Sequence, residues 1–175
     1  MKRLFITLSF IAIANAMVAQ NYDFTYGNLY YKNLGNHNIM VTYPNNSYNY
    51  YGGYTKPSGD VVIQYSLRTG HNWYDEVWYT ITKIGDHAFY GCDGLASVTI
   101  TDGISSIDAG AFSNCSSLTS IIIPASVSSI GDGAFSNCTS LDSINIPNTV
   151  LSIGSEMFSG CISLKSVTIP NTITI

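Results

Sequence analysis

Charged residues are scarce in this chain of 175 residues, since Asp, Glu, Lys and Arg together make up only 10% of it. Neither sign is clustered, and acidic side chains outnumber basic ones by 11 to 7. Such a surface offers little attraction to phosphate, so we expect no nucleic-acid partner and no binding to anionic membrane surfaces. A hydrophobic content of 46% likewise excludes a disordered charged tail and predicts a buried core.

Hydrophobic runs long enough to span a bilayer are also absent, because about twenty consecutive apolar residues are needed. The apolar run Leu4–Ala14 follows Lys2 and Arg3 and precedes small residues, which is the pattern of a secretory signal peptide. This peptide is predicted to span residues 1–19, with cleavage after Ala16 as the alternative. We therefore expect a secreted or cell-surface protein with no transmembrane segment in the mature chain.

The four cysteines recur every 23 residues, and the apolar residues around them keep the same period. The periodic positions are Cys92, Cys115, Cys138 and Cys161; Phe89, Phe112, Phe135 and Phe158; Leu95, Leu118, Leu141 and Leu164; Ile100, Ile123, Ile146 and Ile169. A fixed period of this length is the signature of stacked repeats. Four complete units are predicted at 81–103, 104–126, 127–149 and 150–172, and an incomplete fifth unit runs to residue 175.

Each unit predicts one short strand and one tight turn. The segment L-x-S-V-x-I alternates with period two and is β-branched, so Val98 and Ile100 are expected to face inward. The segment I-G-x-x-A-F is too short for a stable helix and predicts a turn with at most one helical turn. Asp108 replaces the glycine of this turn once, and we interpret it as a residue that tolerates left-handed backbone.

A single unit is not expected to fold alone. Its large apolar side chains contribute about 2 kcal/mol each on burial, whereas ordering the backbone costs about 1–2 kcal/mol per residue. Parallel strands stacked about 4.8 Å apart share one hydrogen-bond ladder and join each apolar row into a continuous column. The predicted fold is therefore a mainly β solenoid of short parallel strands stacked in 23-residue rungs.

Residues 20–80 have a different composition, since nearly all of the tyrosines and both tryptophans lie there among Gly, Asn and Pro clusters. This pattern predicts a cap of β-hairpins over the N-terminal end of the solenoid. The segment Asp60-Val61-Val62-Ile63 matches the end of the repeat strand and is predicted to form a degenerate zeroth rung, with Val61 equivalent to Val98. A further hairpin around Arg68-Thr69-Gly70 is predicted between this rung and the first unit.

The motif F-x-x-C-x-x-L-x-S-V-x-I-P followed by V-x-S-I-G resembles the BspA-like leucine-rich repeat family of bacterial surface and secreted proteins. The resemblance covers all four units, and the Tyr-rich segment ending in GDVVI is similar to the leader of such repeats. It implies a leucine-rich repeat solenoid that engages host matrix or other cell-surface partners as an adhesin. The sequence departs from this pattern at Thr101-Asp102-Gly103, which lacks the strand-ending proline, and at Met157, which replaces an alanine.

Two interpretations of the cysteine row stay open. Disulfides are common in exported chains, and Cα atoms about 4.8 Å apart would permit them. The identical inward position of each cysteine, with parallel side-chain directions, favours a ladder of buried thiols that pack as small hydrophobic groups. Cysteines that lie in a straight row cannot surround a metal ion with tetrahedral geometry, so no metal site is expected. No cofactor is predicted.

No catalytic constellation is evident. His37, His71 and His87 are scattered, and His87 is expected to be a solvent-facing turn residue. Asp86 and Asp132 recur at one turn position and are expected to cap turns. No serine lies in a G-x-S-x-G context, so we predict that the protein is not an enzyme and leave a cryptic hydrolase as the least favoured alternative.

The outward strand positions form the predicted binding surface, which we call the outer face. It consists of Ala96, Thr119, Asp142 and Lys165; Ser97, Ser120, Ser143 and Ser166; Thr99, Ile122, Asn145 and Thr168. These small, hydroxylated and nearly neutral side chains suit hydrogen bonding to an extended polypeptide or a glycan, and exposed tyrosines and tryptophans of the leader are an alternative contact surface. We predict a binding or adhesion module for an extracellular protein or glycan; the alternative is a structural spacer without a ligand.

Overall fold

The computed structural model describes residues 23–26, 29–35, 38–42, 56–69 and 77–173. The predicted signal peptide and the tip of the predicted hairpin lie outside the described residues. Within them the chain forms β-strands and turns but no helix. Accordingly, no helix in the described part is long and apolar enough to cross a membrane.

The strands are short, and those that begin within the repeats contain only two to six residues each. In chain order they are β1 Asp23–Tyr26, β2 Leu29–Gly35, β3 Asn38–Thr42, β4 Gly59–Ile63, β5 Ser66–Thr69, β6 Val77–Ile84, β7 Leu95–Ile100, β8 Ser106–Ile107, β9 Ser120–Ile122, β10 Ser129–Ile130, β11 Ser143–Asn145, β12 Ser152–Ile153 and β13 Ser166–Thr168.

Parallel ladders run along two sides of the solenoid. On one side β6, β8, β10 and β12 pair in register, with their isoleucines opposite one another. On the other side Val61, Val98 and Ile121 align across β4, β7 and β9, and Ile144 aligns with Val167 across β11 and β13. The register advances by one 23-residue unit per rung within the repeats, which confirms the predicted solenoid of stacked parallel strands.

The turns form a third side with its own inter-rung hydrogen bonds. The Phe89 amide donates to the Ala111 carbonyl at 2.7 Å, and the Phe112 amide donates to the Ala134 carbonyl at 2.8 Å. The same bond joins Phe135 to the fourth rung, where Met157 replaces the alanine and is itself buried. Backbone polar groups of the turns are thereby paired between rungs without a helix, as buried polar groups require.

Side-chain columns fill the interior. The phenylalanine rings stack with centroid distances of 4.9, 5.6 and 6.0 Å along the four rungs. Phe, Cys and Leu of the first three rungs are completely buried, whereas those of the fourth rung are only partly buried. Ile146 is 2% exposed but its counterpart Ile169 is 53% exposed, because among the described residues no further rung packs against it.

The N-terminal strands continue both ladders. β3 adds parallel to β6, and β4 adds parallel to β7 with Val61 opposite Val98 and Ile63 opposite Ile100. β1, β2 and β3 form an antiparallel meander, while β5 pairs antiparallel with the first half of β6. β6 begins at Val77 and therefore crosses the domain boundary expected after residue 80. Sequence reasoning identified β4 but missed that β3 extends the other ladder.

The missing proline in the first rung has a structural cause. The Thr101 amide donates to the Ile63 carbonyl at 3.0 Å, a bond that proline could not make. The Thr101 hydroxyl oxygen accepts a hydrogen bond from the Tyr65 amide at 2.9 Å. The Tyr65 ring lies where a side chain at Gly103 would project, and Gly103 has a φ of 108°. The segment Thr101-Asp102-Gly103 is thus shaped to join the first rung to the cap.

The interpretation of Asp108 as a left-handed residue was wrong. The left-handed positions of the turn are two residues further on, at His87, Gly110, Gly133 and Glu156. At the position that Asp108 occupies in the second rung, the third rung has a steric constraint instead, since a Cβ on Gly131 would lie 2.6 Å from the Ala109 nitrogen. Two different constraints therefore favour glycine in the turns: a left-handed backbone at Gly110 and Gly133, and close backbone packing at Gly131.

Candidate functional site

Strand alternation displays the outer face to solvent. In β7 the side chains of Val98 and Ile100 are buried, while Ser97 before them and Thr99 between them are partly exposed. In the later rungs the outward residues are exposed, including Ser120, Ser143 and Ser166 of the serine row and Asn145 and Thr168 of the next row. The structure therefore brings the predicted face residues together as parallel rows that run along the solenoid axis.

Several polar groups of the outer face hydrogen bond within the protein. The Thr119 hydroxyl donates to the Ala96 carbonyl at 3.0 Å, and the Ser97 hydroxyl donates to the Asp60 carboxylate at 2.5 Å. These bonds stabilise rung contacts and reduce the hydrogen-bonding capacity left for a ligand. The outer face also exposes hydroxyl groups at Ser120, Ser143, Ser166 and Thr168.

One ion pair lies at the C-terminal end of the outer face. Lys165 Nζ lies 2.7 Å from Asp142 Oδ1, and both side chains are exposed. The hydrogen bond and the charge of Asp142 raise the pKa of Lys165. The pair keeps this end of the face close to neutral, and its screening by solvent makes it a weak stabiliser.

An apolar ridge occupies the N-terminal end of the outer face. Val62 pairs with Thr99, and Thr99 pairs with Ile122, so three β-branched side chains follow one another along a single outward row. Val62 is 54% exposed and Ile122 is 61% exposed. Val62 comes from the cap and was not among the predicted face residues. The alignment of GDVVI with the repeat strand contained the signal for it, because it places Val62 at the position of Thr99.

A shallow groove runs along the other parallel ladder, with a volume of about 410 Å³. It is lined by Ser129, Gly131, Ser152 and Gly154, with Asp86 and Asp108 at one end. Lys83 Nζ donates to Asp108 Oδ2 at 2.7 Å, and the Ser106 hydroxyl donates to Asp108 Oδ1 at 3.0 Å.

The Lys, Ser and Asp side chains beside this groove do not form a nucleophilic triad. A serine nucleophile needs a base that accepts its proton. Here the Ser106 hydroxyl and the Lys83 ammonium both donate to the same carboxylate of Asp108, so Lys83 is in place as a cation and not as a base for Ser106. The arrangement ties β6 to the second rung.

The cysteine row is a set of thiols, and those of the second, third and fourth rungs are hydrogen bonded to the rung before. The Cys115, Cys138 and Cys161 thiols donate to the carbonyls of Phe89, Phe112 and Phe135 at 3.0, 3.1 and 3.0 Å. None of the four cysteines is in a disulfide in this structure. Burial raises the pKa of Cys138 to about 12 and raises that of Cys115 well above its ordinary value. These thiols therefore stay protonated and unreactive at neutral pH.

The turn carboxylates accept hydrogen bonds from the following rung. Asp86 Oδ1 accepts from the Ala109 amide at 3.1 Å, and Asp132 Oδ1 accepts from the Ser155 amide at 2.7 Å. His87 is partly buried and its ring lies 5.5 Å from that of Tyr90. Across the described ranges no group of three His, Cys, Asp or Glu side chains could hold a metal ion. His37 and His71 lie outside the described residues.

Structural comparisons place the chain among bacterial leucine-rich repeat proteins. A T. pallidum leucine-rich repeat protein is 28% identical with a TM-score of 0.60, and the match covers 79% of this chain and 56% of that one. A leucine-rich cell surface protein from Faecalibacterium prausnitzii is 28% identical with a TM-score of 0.62, covering 89% and 45% respectively. The chain thus spans roughly half the length of each of these two relatives.

A third structure supports the fold alone. A leucine-rich repeat protein from Bacteroides capillosus is 22% identical with a TM-score of 0.65, and the match covers 83% of this chain and 96% of that one. No curated protein matches the chain.

The family model described as "BspA type Leucine rich repeat region (6 copies)" matches residues 76–175, which is more than half of the chain. The match includes all four 23-residue units and begins at the start of β6, the strand that receives the cap. The stacked Phe, Cys and Leu columns all lie within the matched residues. The protein is a member of the BspA-type leucine-rich repeat family.

Proposed function

We propose that the protein is an exported binding module that engages an extracellular protein or glycan at the cell surface through its outer face. The observation that carries this proposal is a contrast between polar groups that are hydrogen bonded within the protein and polar groups that are exposed on the outer face. Those of the turns and of the thiol row are hydrogen bonded within the solenoid, whereas the outer face displays exposed Ser120, Ser143, Asn145 and Thr168 in parallel rows. The paired strands fix the spacing of these side chains before binding, so less entropy is lost when a partner docks.

Export is supported by the sequence and by one relative. Lys2 and Arg3 followed by the run Leu4–Ala14 are typical of a secretory signal peptide. The Faecalibacterium prausnitzii relative is described as a cell surface protein. We expect the protein recovered from its native cells to begin at Gln20 and to be found outside the cytoplasm. Mass spectrometry of cell fractions tests this, and an uncleaved chain confined to the cytoplasm would contradict it.

Binding is tested with a panel of immobilised extracellular matrix proteins and a glycan array. Ile122→Lys and Asn145→Lys alter the outer face, while Leu151→Lys changes a residue that is 56% exposed outside that face and serves as the matched control. We expect a ligand that binds the protein and the control but not the two face variants. Absence of any ligand, or equal binding by all variants, would contradict the proposal, and absence of any ligand would favour a spacer role.

A further inference from the structure

We infer that the thiol row is a binding site for a soft monovalent cation, Cu(I), held in linear geometry between Cys138 Sγ and Cys161 Sγ. The site lies inside the solenoid and is separate from the outer face, so it goes beyond the proposed binding function. A straight row of cysteines does not suit tetrahedral coordination. Linear coordination requires only two sulfur ligands on opposite sides of the cation, which is the arrangement that two neighbouring members of a row supply.

The two thiols hold equivalent positions one rung apart. Cys138 Sγ donates to the Phe112 carbonyl at 3.1 Å, and Cys161 Sγ donates to the Phe135 carbonyl at 3.0 Å. Because both side chains make the same contact, their sulfur atoms are separated by about the spacing of neighbouring strands, roughly 4.8 Å. Two metal–sulfur bonds of about 2.3 Å placed end to end span about 4.6 Å. A cation midway between the two sulfur atoms therefore lies at bonding distance from both.

The electrostatics of the site favour a monovalent cation. Burial raises the pKa of Cys138 to about 12, and the neighbouring charge of Cys161 adds to that rise. Two thiolates side by side are therefore disfavoured. A complex of Cu(I) with one thiolate at Cys161 and one neutral thiol at Cys138 carries no net charge, so no ion is buried. Its formation releases one proton from Cys161 and leaves the oxidation states of copper and sulfur unchanged.

The hydrogen bonds of the site tolerate the loss of that proton. Cys138 keeps its proton and its bond to the Phe112 carbonyl, while a lone pair of its sulfur faces the cation. The Phe135 carbonyl loses the Cys161 thiol as a donor but still accepts the Cys138 amide at 3.2 Å. Both buried carbonyls therefore stay hydrogen bonded when the cation is in place.

The exposure of Cys161 and the ligand type select this end of the row and this kind of cation. Cys161 is partly buried, whereas the other three cysteines are completely buried. Sulfur ligands favour Cu(I) over Ca²⁺ and Mg²⁺, which take oxygen ligands. Zinc sites need three or four protein ligands, and within the described ranges no group of three His, Cys, Asp or Glu side chains is close enough to hold a metal ion.

The test is an anaerobic titration of the reduced protein with Cu(I) in competition with the chromophoric chelator bicinchoninate. We expect one Cu(I) per chain, bound at least about tenfold more weakly by Cys138→Ala and by Cys161→Ala. Cys92→Ala is the matched control, because it removes a buried thiol at the other end of the row and should bind as the parent protein does. X-ray absorption of the parent protein should show two sulfur neighbours around copper, a result that depends on no variant.

Three results would overturn the inference. Failure of the protein to compete with the chelator would show that the thiols keep their protons against Cu(I). Full binding by Cys138→Ala would show that Cys161 alone holds the cation. A shell of three or more sulfur atoms would show that the cation lies outside the linear site. The outer face takes no part in these outcomes, so the proposed binding function stands or fails by its own test.

Discussion

At the scale of single residues, the cysteines illustrate how one side chain meets two demands in this solenoid. Each position must be small enough to lie in an inward column, and the Phe carbonyl of the preceding rung lies within reach of a donor there. A thiol satisfies both because it packs as a hydrophobic group and still donates weakly. Serine would bring a stronger donor but less apolar volume, and alanine would leave the contact unmade.

Stability is expected to fall at alkaline pH because of these thiols. An unfolded thiol loses its proton near pH 8.5 to 9, whereas folding holds the Cys138 proton until about pH 12. Above pH 9 the unfolded state therefore binds fewer protons, and stability decreases by up to about 1.4 kcal/mol per pH unit for each such thiol. Denaturant unfolding at pH 7 to 11 measures this. Cys138→Ala should flatten the pH dependence, and an unchanged slope would contradict the account.

Thiol titration addresses the disulfide alternative that the sequence left open. In denaturant without reductant we expect four titratable thiols. In the native protein we expect Cys161 to react first, because it lies in the last described rung and is only partly buried, while Cys115 and Cys138 are completely buried. Two or no titratable thiols in denaturant would show that inter-rung disulfides form in place of the thiol ladder.

At the scale of elements, the register of β4 was predictable and that of β3 was not. Val61 and Ile63 share the β-branched alternation of the repeat strands, so alignment alone placed them opposite Val98 and Ile100. β3 carries a different sequence, pairs with a strand about forty residues away and has an irregularity between Ile39 and Met40. The position of β3 depends on pairing with a strand that is distant in sequence, and the local sequence pattern does not predict that pairing.

Prediction of the outer face from the sequence was likewise incomplete at the N-terminal end of that face. The repeated positions predicted which side chains point outward, because strand alternation is a local property. The repeat itself does not predict the hydrogen bond from Ser97 to Asp60, nor does it predict the exposure of Val62 beside Thr99. Both arise where a non-repeat strand meets the first rung.

Thr101→Pro tests the junction between cap and repeats. The change makes the first rung more like the other three, which carry Pro124, Pro147 and Pro170. The structure nevertheless predicts destabilisation of about 1–3 kcal/mol, because the amide bond to Ile63 and the hydroxyl contact with Tyr65 are both lost. Thermal and denaturant unfolding measure the effect. Greater stability than the parent protein would show that the cap does not pair with the first rung.

The two kinds of turn glycine predict different costs of substitution. Gly133→Ala places a side chain at a φ of 56° with its nearest neighbour, Ser136 Oγ, at 3.4 Å, so it should cost about 1–2 kcal/mol in backbone strain. Gly131→Ala puts a Cβ against the backbone of the preceding rung and should cost more than twice as much. Unfolding measurements on both variants compare them directly, and equal costs would refute the steric role of Gly131.

At the scale of the whole molecule, the cap and the repeats share two parallel ladders, one unbroken from β3 to β12 and one that is interrupted between β9 and β11. β3 and β4 extend the two parallel sides, and each later rung contacts its neighbours through the same amide bonds and the same side-chain columns. Stability in such an array depends on nearest-neighbour contacts, so it is expected to decrease toward the fourth rung, where the columns are only partly buried. Continuity across the junction is what places cap and repeat residues on one face of the solenoid.

Native-state hydrogen exchange at the junction amides tests this continuity most directly. We expect the Thr101 amide, bonded to Ile63, and the Gly59 amide, bonded to Gly94, to exchange as slowly as the Asp108 and Gly131 amides within the repeats. The fourth-rung amides should exchange faster than these. Rapid exchange of Thr101 and Gly59 beside protected inner rungs would show that the cap is separate from the solenoid, and the shared outer face would then not exist.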